Sequence, residues 1–420
     1  MAVGGPGGKT AAAGRPGKAF DAGALLAAAC AIVAAEGLAG LTLRPLAEAL
    51  GVSVTVLTHA CGDRAGIMAA LCDAAAARDA VRLDGWRSKL AALPALPPAT
   101  AAGLAEAILE EAVTQERALS MLYLEMLHAC TWDEGLRPAF AAWAAQRRGF
   151  WDGFGARGGL APALAACGWW HGYIVAELAY GVALDGHTAY RMVRRLCLQR
   201  LFAGGAAAAP DAADGMLFAL LCEDMRHAGD ADEAGAGTAA GRVPAWSAQA
   251  ARACGMRLAT QGVNGLTHRA IAADIGIAHT TLSYRFPTQH DLVIAGLESI
   301  AAHVMAAVDG GSLEALQRLR ADGDGRKLDL ARGNFAVALA AARLPALASY
   351  TAHMRSRRGR NLVKVFEQHV PDVRGIDALC ASVVSMGLTG LTNTEPPGDG
   401  SERSVAAAFA AVSAWLGQGR

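Results

Sequence analysis

The chain reads Leu41-Thr-Leu-Arg-Pro-Leu-Ala-Glu-Ala-Leu-Gly-Val-Ser53 and, 225 residues later, Leu266-Thr-His-Arg-Ala-Ile-Ala-Ala-Asp-Ile-Gly-Ile-Ala278. The similarity extends without a gap over residues 20–71 and 245–296, where about a dozen positions are identical. A repeat of this kind indicates two copies of one module in tandem, so it constrains the architecture before any single residue is weighed.

Each copy has the pattern of three short helices. An apolar run ends in a glycine, which suits the left-handed residue that follows a helix, and a threonine then offers an N-cap to a second helix. Another glycine ends the second helix, and a third helix begins after a very short turn, as in a helix-turn-helix. The paired positions are Gly37 and Gly262, Thr42 and Thr267, Gly51 and Gly276, and Ser53 and Ala278.

These residues resemble the DNA-binding domain of tetracycline-repressor-type (TetR) transcriptional regulators. The second copy matches the family pattern at Gly276, Ile277, Thr281, Leu282, Phe286, Asp291 and Leu292, and departs from it at Ser283 and Gln289. The first copy matches at Gly51, Val52, Ser53, Leu57 and Arg64, and departs at Val56, Thr58 and Cys61. Residues 170–178 also resemble a helix near the C-terminus of such regulators.

The resemblance implies an all-α chain of two tandem units, each a three-helix DNA-binding domain followed by a larger helical effector and dimerisation domain. Composition divides the chain further. We expect a disordered basic arm at 1–18, DNA-binding domains at 19–75 and 244–298, helical regulatory domains at 80–227 and 301–418, and a flexible linker at 228–243. The arm either enters a minor groove or is a solvated tail. We expect the two units to pair within one chain as a pseudo-dimer, with a homodimer of chains as the other arrangement.

The two modules differ in charge. Residues 20–71 contain two arginines and four carboxylates, whereas residues 245–296 contain four arginines and two aspartates. Because phosphate neutralisation supplies most of the affinity for duplex DNA, we expect the second module to be the principal DNA-contacting one. Position by position, the resemblance implies DNA contacts by Thr267, His279, Thr280, Thr281, Ser283, Tyr284, Arg285 and Gln289, and in the first module by Thr42, Thr55, Val56, Thr58, His59 and Arg64. Two roles remain open for Arg285, a guanine edge or a phosphate.

Aromatic residues crowd the first helical region. A hydrophobic effector site there would combine apolar walls with a few polar groups, and the candidate residues are Tyr123, Glu125, His128, Trp132, Trp143 and Trp151. The alternative is that the aromatics form core or interface, as we expect for Trp169, Trp170 and Tyr173. The second helical region has its own candidate polar cluster, for which we expect a solvated helix face instead: His353, Arg355, Arg357, Arg358 and Arg360.

Composition bounds the remaining possibilities. The 420 residues carry no net charge, so a nucleic-acid footprint must be local, and no run is long and apolar enough to cross a membrane. The apolar stretch 24–35 after Lys18 has a second interpretation as a signal peptide, but its counterpart in the second copy is internal. We expect a cytoplasmic protein without a metal or other cofactor, because the cysteines and histidines show no metal-like grouping.

Three functions follow from these patterns. The first is a DNA-binding regulator, a repressor released by a small hydrophobic effector. The second is a degenerate regulator that acts as a small-molecule-binding or antagonist protein without an operator of its own. The third is an enzyme, which no phosphate loop, dinucleotide fingerprint, metal-ligand set or nucleophile elbow supports. We therefore predict that the chain is not an enzyme.

Overall fold

The computed structural model describes residues 21–204, 212–236, 245–261, 265–309, 330–360, 362–363, 376–396 and 398–417. This part of the chain contains nineteen α-helices and no β-strand, which confirms the all-α prediction for these residues. In chain order, α1 to α19 are Ala22–Glu36, Leu43–Ala49, Val54–Cys61, Arg64–Ala91, Pro98–Val113, Arg117–Ala129, Arg137–Arg157, Pro162–Ala166, Trp169–Leu184, Thr188–Phe202, Ala212–Ala236, Ala245–Gln261, His268–Ile275, His279–Arg285, Gln289–Asp309, Leu330–Ala341, Ala348–Ser356, Ala378–Thr394 and Asp399–Gly417.

Helices α1, α2 and α3 form the first module. Gly37 follows α1 with a φ of 73°, and its N–H donates to the carbonyl of Val33. Thr42 is the N-cap of α2 as predicted, but its hydroxyl forms no capping hydrogen bond. Gly51 has a φ of 67°, and Ser53 caps α3 by accepting a hydrogen bond of 3.2 Å from the N–H of Val56. The predicted turn between α2 and α3 is therefore present.

Helices α12, α13 and α14 form the second module on the same plan. The Thr267 hydroxyl accepts from the N–H of Ala270 at 3.2 Å, which confirms the predicted N-cap of α13. Gly276 ends α13 in the left-handed conformation, and α14 begins at His279 without a side-chain cap. Gly262, the predicted end of α12, lies outside the described residues, as does the arm at 1–18.

A long helix connects each module to the residues that follow it. Helix α4 runs from Arg64 to Ala91 and so crosses the division predicted between residues 75 and 80, and α15 crosses the corresponding division at 298–301. Helix α11 extends to Ala236, so residues 228–236 of the predicted linker are helical. Alanine and glutamate in this segment have high helix propensity, which the linker prediction overlooked.

Helix α9 lies at the centre of the molecule and packs against α18. All but one of its residues are buried. The two helices approach backbone to backbone, because a Cβ atom at Gly390 would overlap the carbonyl oxygen of Gly172 and one at Gly387 would overlap the Trp169 ring. This crossing joins the first half of the chain, residues 21–236, to the second half, residues 245–417.

A buried ion pair reinforces the crossing. Arg355 of α17 donates to a carboxylate oxygen of Glu177 in α9 at 2.8 Å, and both side chains are fully buried. The hydroxyls of Tyr173 and Tyr190 donate to the same carboxylate at 3.2 and 3.1 Å. Burial alone lowers the pKa of Arg355, but the Glu177 carboxylate raises it well above its usual value.

The prediction of a solvated helix face is therefore wrong for Arg355, which is fully buried. Arg358 is half-buried and donates to the Tyr180 hydroxyl at 2.8 Å. Arg360 is exposed, as predicted. Sequence alone presents a cluster of cations as a surface, since the carboxylate and hydroxyl that accept from them lie about 180 residues away in the chain. Among the described helices, none combines the length and hydropathy needed to cross a membrane.

Candidate nucleic-acid interface and ligand cavity

The α3 face of the first module is exposed and partly apolar. Leu57 points into the core and is fully buried, which fixes the opposite side of the helix toward solvent. Thr55 and His59 lie on that side and are exposed, while Val54 at the start of the helix and Val56 on its flank are 38% and 51% exposed. The Thr58 hydroxyl donates within the helix to the carbonyls of residues 54 and 55 at 3.0 and 3.2 Å. This face offers few hydrogen-bond donors.

The α14 face of the second module is exposed and polar. Leu282 is buried in the position that corresponds to Leu57, and Tyr284 is 91% exposed. The remaining predicted contacts of this helix are exposed at His279, Thr280, Thr281 and Arg285, and half-buried at Ser283. These six predicted residues thus all lie on one helix, α14.

Two further predicted DNA contacts of the second module, Thr267 and Gln289, form hydrogen bonds within the module. Thr267 is occupied in capping α13, and the Gln289 amide donates to the carbonyl of Leu266 at 2.9 Å. The His268 ring lies 2.6 Å from the carbonyl of Phe286 and 5.9 Å from the His279 ring. His268, at the start of α13, therefore contacts both ends of α14, and sequence reasoning did not select this side chain.

Ion pairs reduce the cationic surface of both modules. Arg44 binds Glu48 at 3.0 Å in the first module, and Arg257 binds Asp274 in the second. Outside these two ion pairs, the exposed arginines are Arg252, Arg269 and Arg285 in the second module and Arg64 in the first. The charge difference expected from the sequence persists, although Arg257 no longer contributes to it.

A cavity of about 230 Å³ lies between the two halves. From the first half it is lined by Leu38, Thr42, Arg64, Glu125, His128 and Trp132, among others. From the second half its walls include Leu258, Val293, Leu297, Leu339 and Arg343. Thr42 and Arg64, which the family pattern places at the DNA, thus border this cavity.

An ion pair between the halves closes one side of the cavity. The guanidinium of Arg343 contacts the carboxylate of Glu125, and the same carboxylate accepts a long hydrogen bond of 3.4 Å from the N–H of Leu38. The His128 ring is packed between Trp132 and Phe335, with ring centroids 4.4 and 5.5 Å away. Burial, and then the charge of Arg332, lowers the pKa of His128 to about 3, so that the ring is neutral near pH 7.

The predicted effector residues therefore fall into two groups. Glu125, His128 and Trp132 line the cavity, whereas Tyr123, Trp143 and Trp151 are buried in the core. Trp143 donates to the carboxylate of Asp79 at 3.0 Å, and Tyr123 packs beneath the Arg147 guanidinium at 4.1 Å. These contacts place Tyr123 and Trp143 in a buried polar network of the core rather than at a cavity.

Asp79 is the centre of that network. Its fully buried carboxylate binds Arg147 and, at 3.0 Å, Arg82. Burial alone raises the pKa of Asp79, but the two guanidinium groups and the hydrogen bonds from Arg147 and Trp143 lower it below its usual value. Among the described residues no group of three or more His, Cys, Asp or Glu side chains is arranged to hold a metal ion.

Sequence reasoning missed the cavity wall from the second half. Val293, Leu297, Leu339 and Arg343 carry no pattern that distinguishes them from ordinary core or surface residues of a helix. They become part of the site only because α16 packs against α6 and α9 of the first half, and α15 packs against α16. Comparison with known proteins adds no assignment, since no family matches the chain and no curated protein is similar to it.

Proposed function

We propose that this chain is a DNA-binding transcriptional regulator of the TetR type, built as a single-chain pseudo-dimer and released from its operator by a small hydrophobic effector. One observation carries the proposal: α3 and α14 follow equivalent glycine turns, each buries a leucine at the same position, and each presents its opposite side to solvent. This geometry suits recognition helices, whose exposed side chains enter a major groove. Such a regulator acts in the cytoplasm and needs no catalytic or cofactor site.

The pseudo-dimer is supported by the crossing of α9 and α18. In regulators that this chain resembles, two subunits pair through their larger helical domains, and here the crossing joins two halves of one chain. The exposed residues of α3 and α14 differ at nearly every position, so the operator should be non-palindromic. We expect one 43.0 kDa chain to be the functional unit.

A mobility-shift assay with genomic fragments tests the proposal directly. The unmodified chain should retard a subset of fragments, and Arg269→Ala with Arg285→Ala should weaken that binding, because both side chains are exposed cations of the second module. Arg191→Ala is a matched control, since this exposed arginine lies on α10 outside both modules. Light scattering with footprinting then tests the architecture: a dimer of chains on a symmetric site would contradict the single-chain pseudo-dimer.

A second function is favoured by the surface of the first module. Arg44 is paired with Glu48, and two valines are exposed where polar contacts would serve DNA recognition. A degenerate regulator that binds a small molecule, or antagonises another regulator, would have such a surface in both modules. Failure of every genomic fragment to shift, with a folded chain, would favour this function.

A further inference from the structure

We propose that the cavity between the two halves binds a small molecule with an apolar body and a carboxylate group, and that this molecule is the effector. The effector role rests on the regulatory function proposed above, whereas binding at the cavity is argued from the residues that line it. Those residues supply an apolar wall, an excess of hydrogen-bond donors and contact with both modules.

The apolar wall comes from both halves. Leu38 of the first module faces Val293 and Leu297 of α15, and Leu339 of α16 adds a second aliphatic surface. Trp132 contributes an aromatic side. An aliphatic or aromatic body placed among these side chains loses contact with water, which is the main source of affinity in pockets of this kind.

The polar groups at the cavity favour an anion. Of its two carboxylates, Glu125 accepts from Arg343 and from the Leu38 N–H, and Asp133 accepts from the N–H of Gly135 at 3.0 Å. Arg64, by contrast, forms no ion pair within the described part of the chain.

Arg343 has five N–H donors and directs one of them at Glu125, so it retains donors as well. The Thr42 hydroxyl also makes no capping bond. Glu125 accepts at both of its oxygens, whereas Arg64 and Arg343 keep donors, so a ligand that supplies acceptor oxygens matches these two guanidinium groups. A carboxylate does so with a charge that complements Arg64 and Arg343.

The cavity also touches the supports of both recognition helices. Arg64 is the first residue of α4, which follows α3 after Gly62 and Asp63. Val293 and Leu297 lie on α15, which follows α14 in the same way. A ligand that contacts both supports biases the distance between α3 and α14, and a duplex tolerates only separations that match its successive grooves.

Isothermal titration of the full-length chain without DNA tests the site. The probes are octanoate and 4-phenylbutyrate, each paired with its neutral amide, which keeps the apolar body and removes the charge. We expect at least one carboxylate to bind with one site per chain and its amide to bind about tenfold or more weakly, because charge-assisted hydrogen bonds are lost.

Two variants locate the binding. Arg64→Gln should reduce carboxylate affinity to that of the amide, and Ala39→Trp should abolish binding of both, because this exposed residue borders the cavity and a large side chain there would fill it. Arg44→Gln is the matched control, an exposed arginine of the same module that does not border the cavity, and should leave affinity unchanged. Arg64 and Ala39 are both exposed, so neither substitution removes core packing.

The proposal is overturned if no carboxylate binds, if carboxylate and amide bind equally, or if Ala39→Trp retains full affinity. These outcomes are separable from failure of the regulatory function. Carboxylate binding without any DNA shift would leave the site in place and refute only its effector role. A DNA shift without carboxylate binding would leave the regulator in place and refute the site.

Discussion

Helices α3 and α14 follow equivalent turns, yet α3 exposes Val54 and Val56 whereas α14 exposes Tyr284 and Arg285. Gly51 and Gly276 have φ angles of 67° and 69°, so the backbone of the turn is the same in both modules. The turn therefore depends on very few residues, a left-handed glycine and a buried leucine. The solvent side of the third helix is free to diverge because it contributes little to folding.

The largest expected effect concerns the contact between the halves. Glu177→Leu removes the carboxylate that faces Arg355 and leaves a fully buried guanidinium without its charged partner. We expect a loss of about 3–5 kcal/mol in the free energy of unfolding, measured by urea titration. If the two modules belong to one cooperative unit, probes in both should report the same transition.

A compensating variant controls for this change. Glu177→Leu combined with Arg355→Met replaces the pair by apolar side chains and should recover part of the lost stability, because the buried Tyr173 hydroxyl still loses its acceptor. A loss below about 1 kcal/mol for the single variant would show that the pair does not hold the halves together.

The next effect asks whether the modules contribute unequally to DNA binding. Arg285→Ala should weaken binding to a shifted fragment by about 1–3 kcal/mol if the side chain pairs with a guanine edge. His59→Ala, in the first module, should cost much less, because its helix presents few donors. Binding is measured by titration of the fragment at fixed salt.

Salt dependence separates the two roles of Arg285. A phosphate contact would weaken all sequences alike and lower the slope of log affinity against log salt by about one. Equal losses for the two substitutions would refute unequal modules and favour a symmetric pseudo-dimer.

A smaller effect should be equal in the two modules. Gly51→Ala and Gly276→Ala place a Cβ atom in a left-handed residue, with no other atom within 4 Å to clash. The cost is backbone strain alone, about 1–2 kcal/mol at each position by thermal unfolding. Gly85→Ala is the control, because this exposed glycine lies inside α4 and its substitution should stabilise the chain by about 0.5–1 kcal/mol. Clearly different costs at the two turns would show that their backbones are not equivalent.

The smallest effect is local to the second module. Thr288 donates its N–H and hydroxyl to the Asp291 carboxylate at 2.8 and 2.7 Å, and these bonds lower the pKa of Asp291. A lowered carboxylate pKa contributes stability above the usual value, and that stability is lost as the pH falls through the folded value. Thr288→Ala should therefore return the pKa of Asp291 toward its usual value in an NMR titration. An unchanged pKa would mean that Thr288 is not its cause.

Local features of the molecule were predictable from the sequence. The all-helical fold, the turns at Gly51 and Gly276 and the N-cap position of Thr267 depend on residues a few positions apart. The exposed face of α14 follows from the same helical spacing. The sequence did not predict the full length of α11, because its glycine-containing acidic end also resembles a linker. Sequence alone does not show which helices pack beside this segment.

Sequence by itself determined the repeated module, its charge asymmetry and its helical class, since each is set by residue type and short-range spacing. Tertiary structure decided which side chains meet across the halves. From the sequence, Arg355 is predicted to be a surface cation, but in the structure it pairs with Glu177. Arg343 has no predicted role, but in the structure it pairs with Glu125. The physical reason is that burial and ion pairing depend on the packing of α9 against α18 and of α16 against the first half, which chain order does not specify.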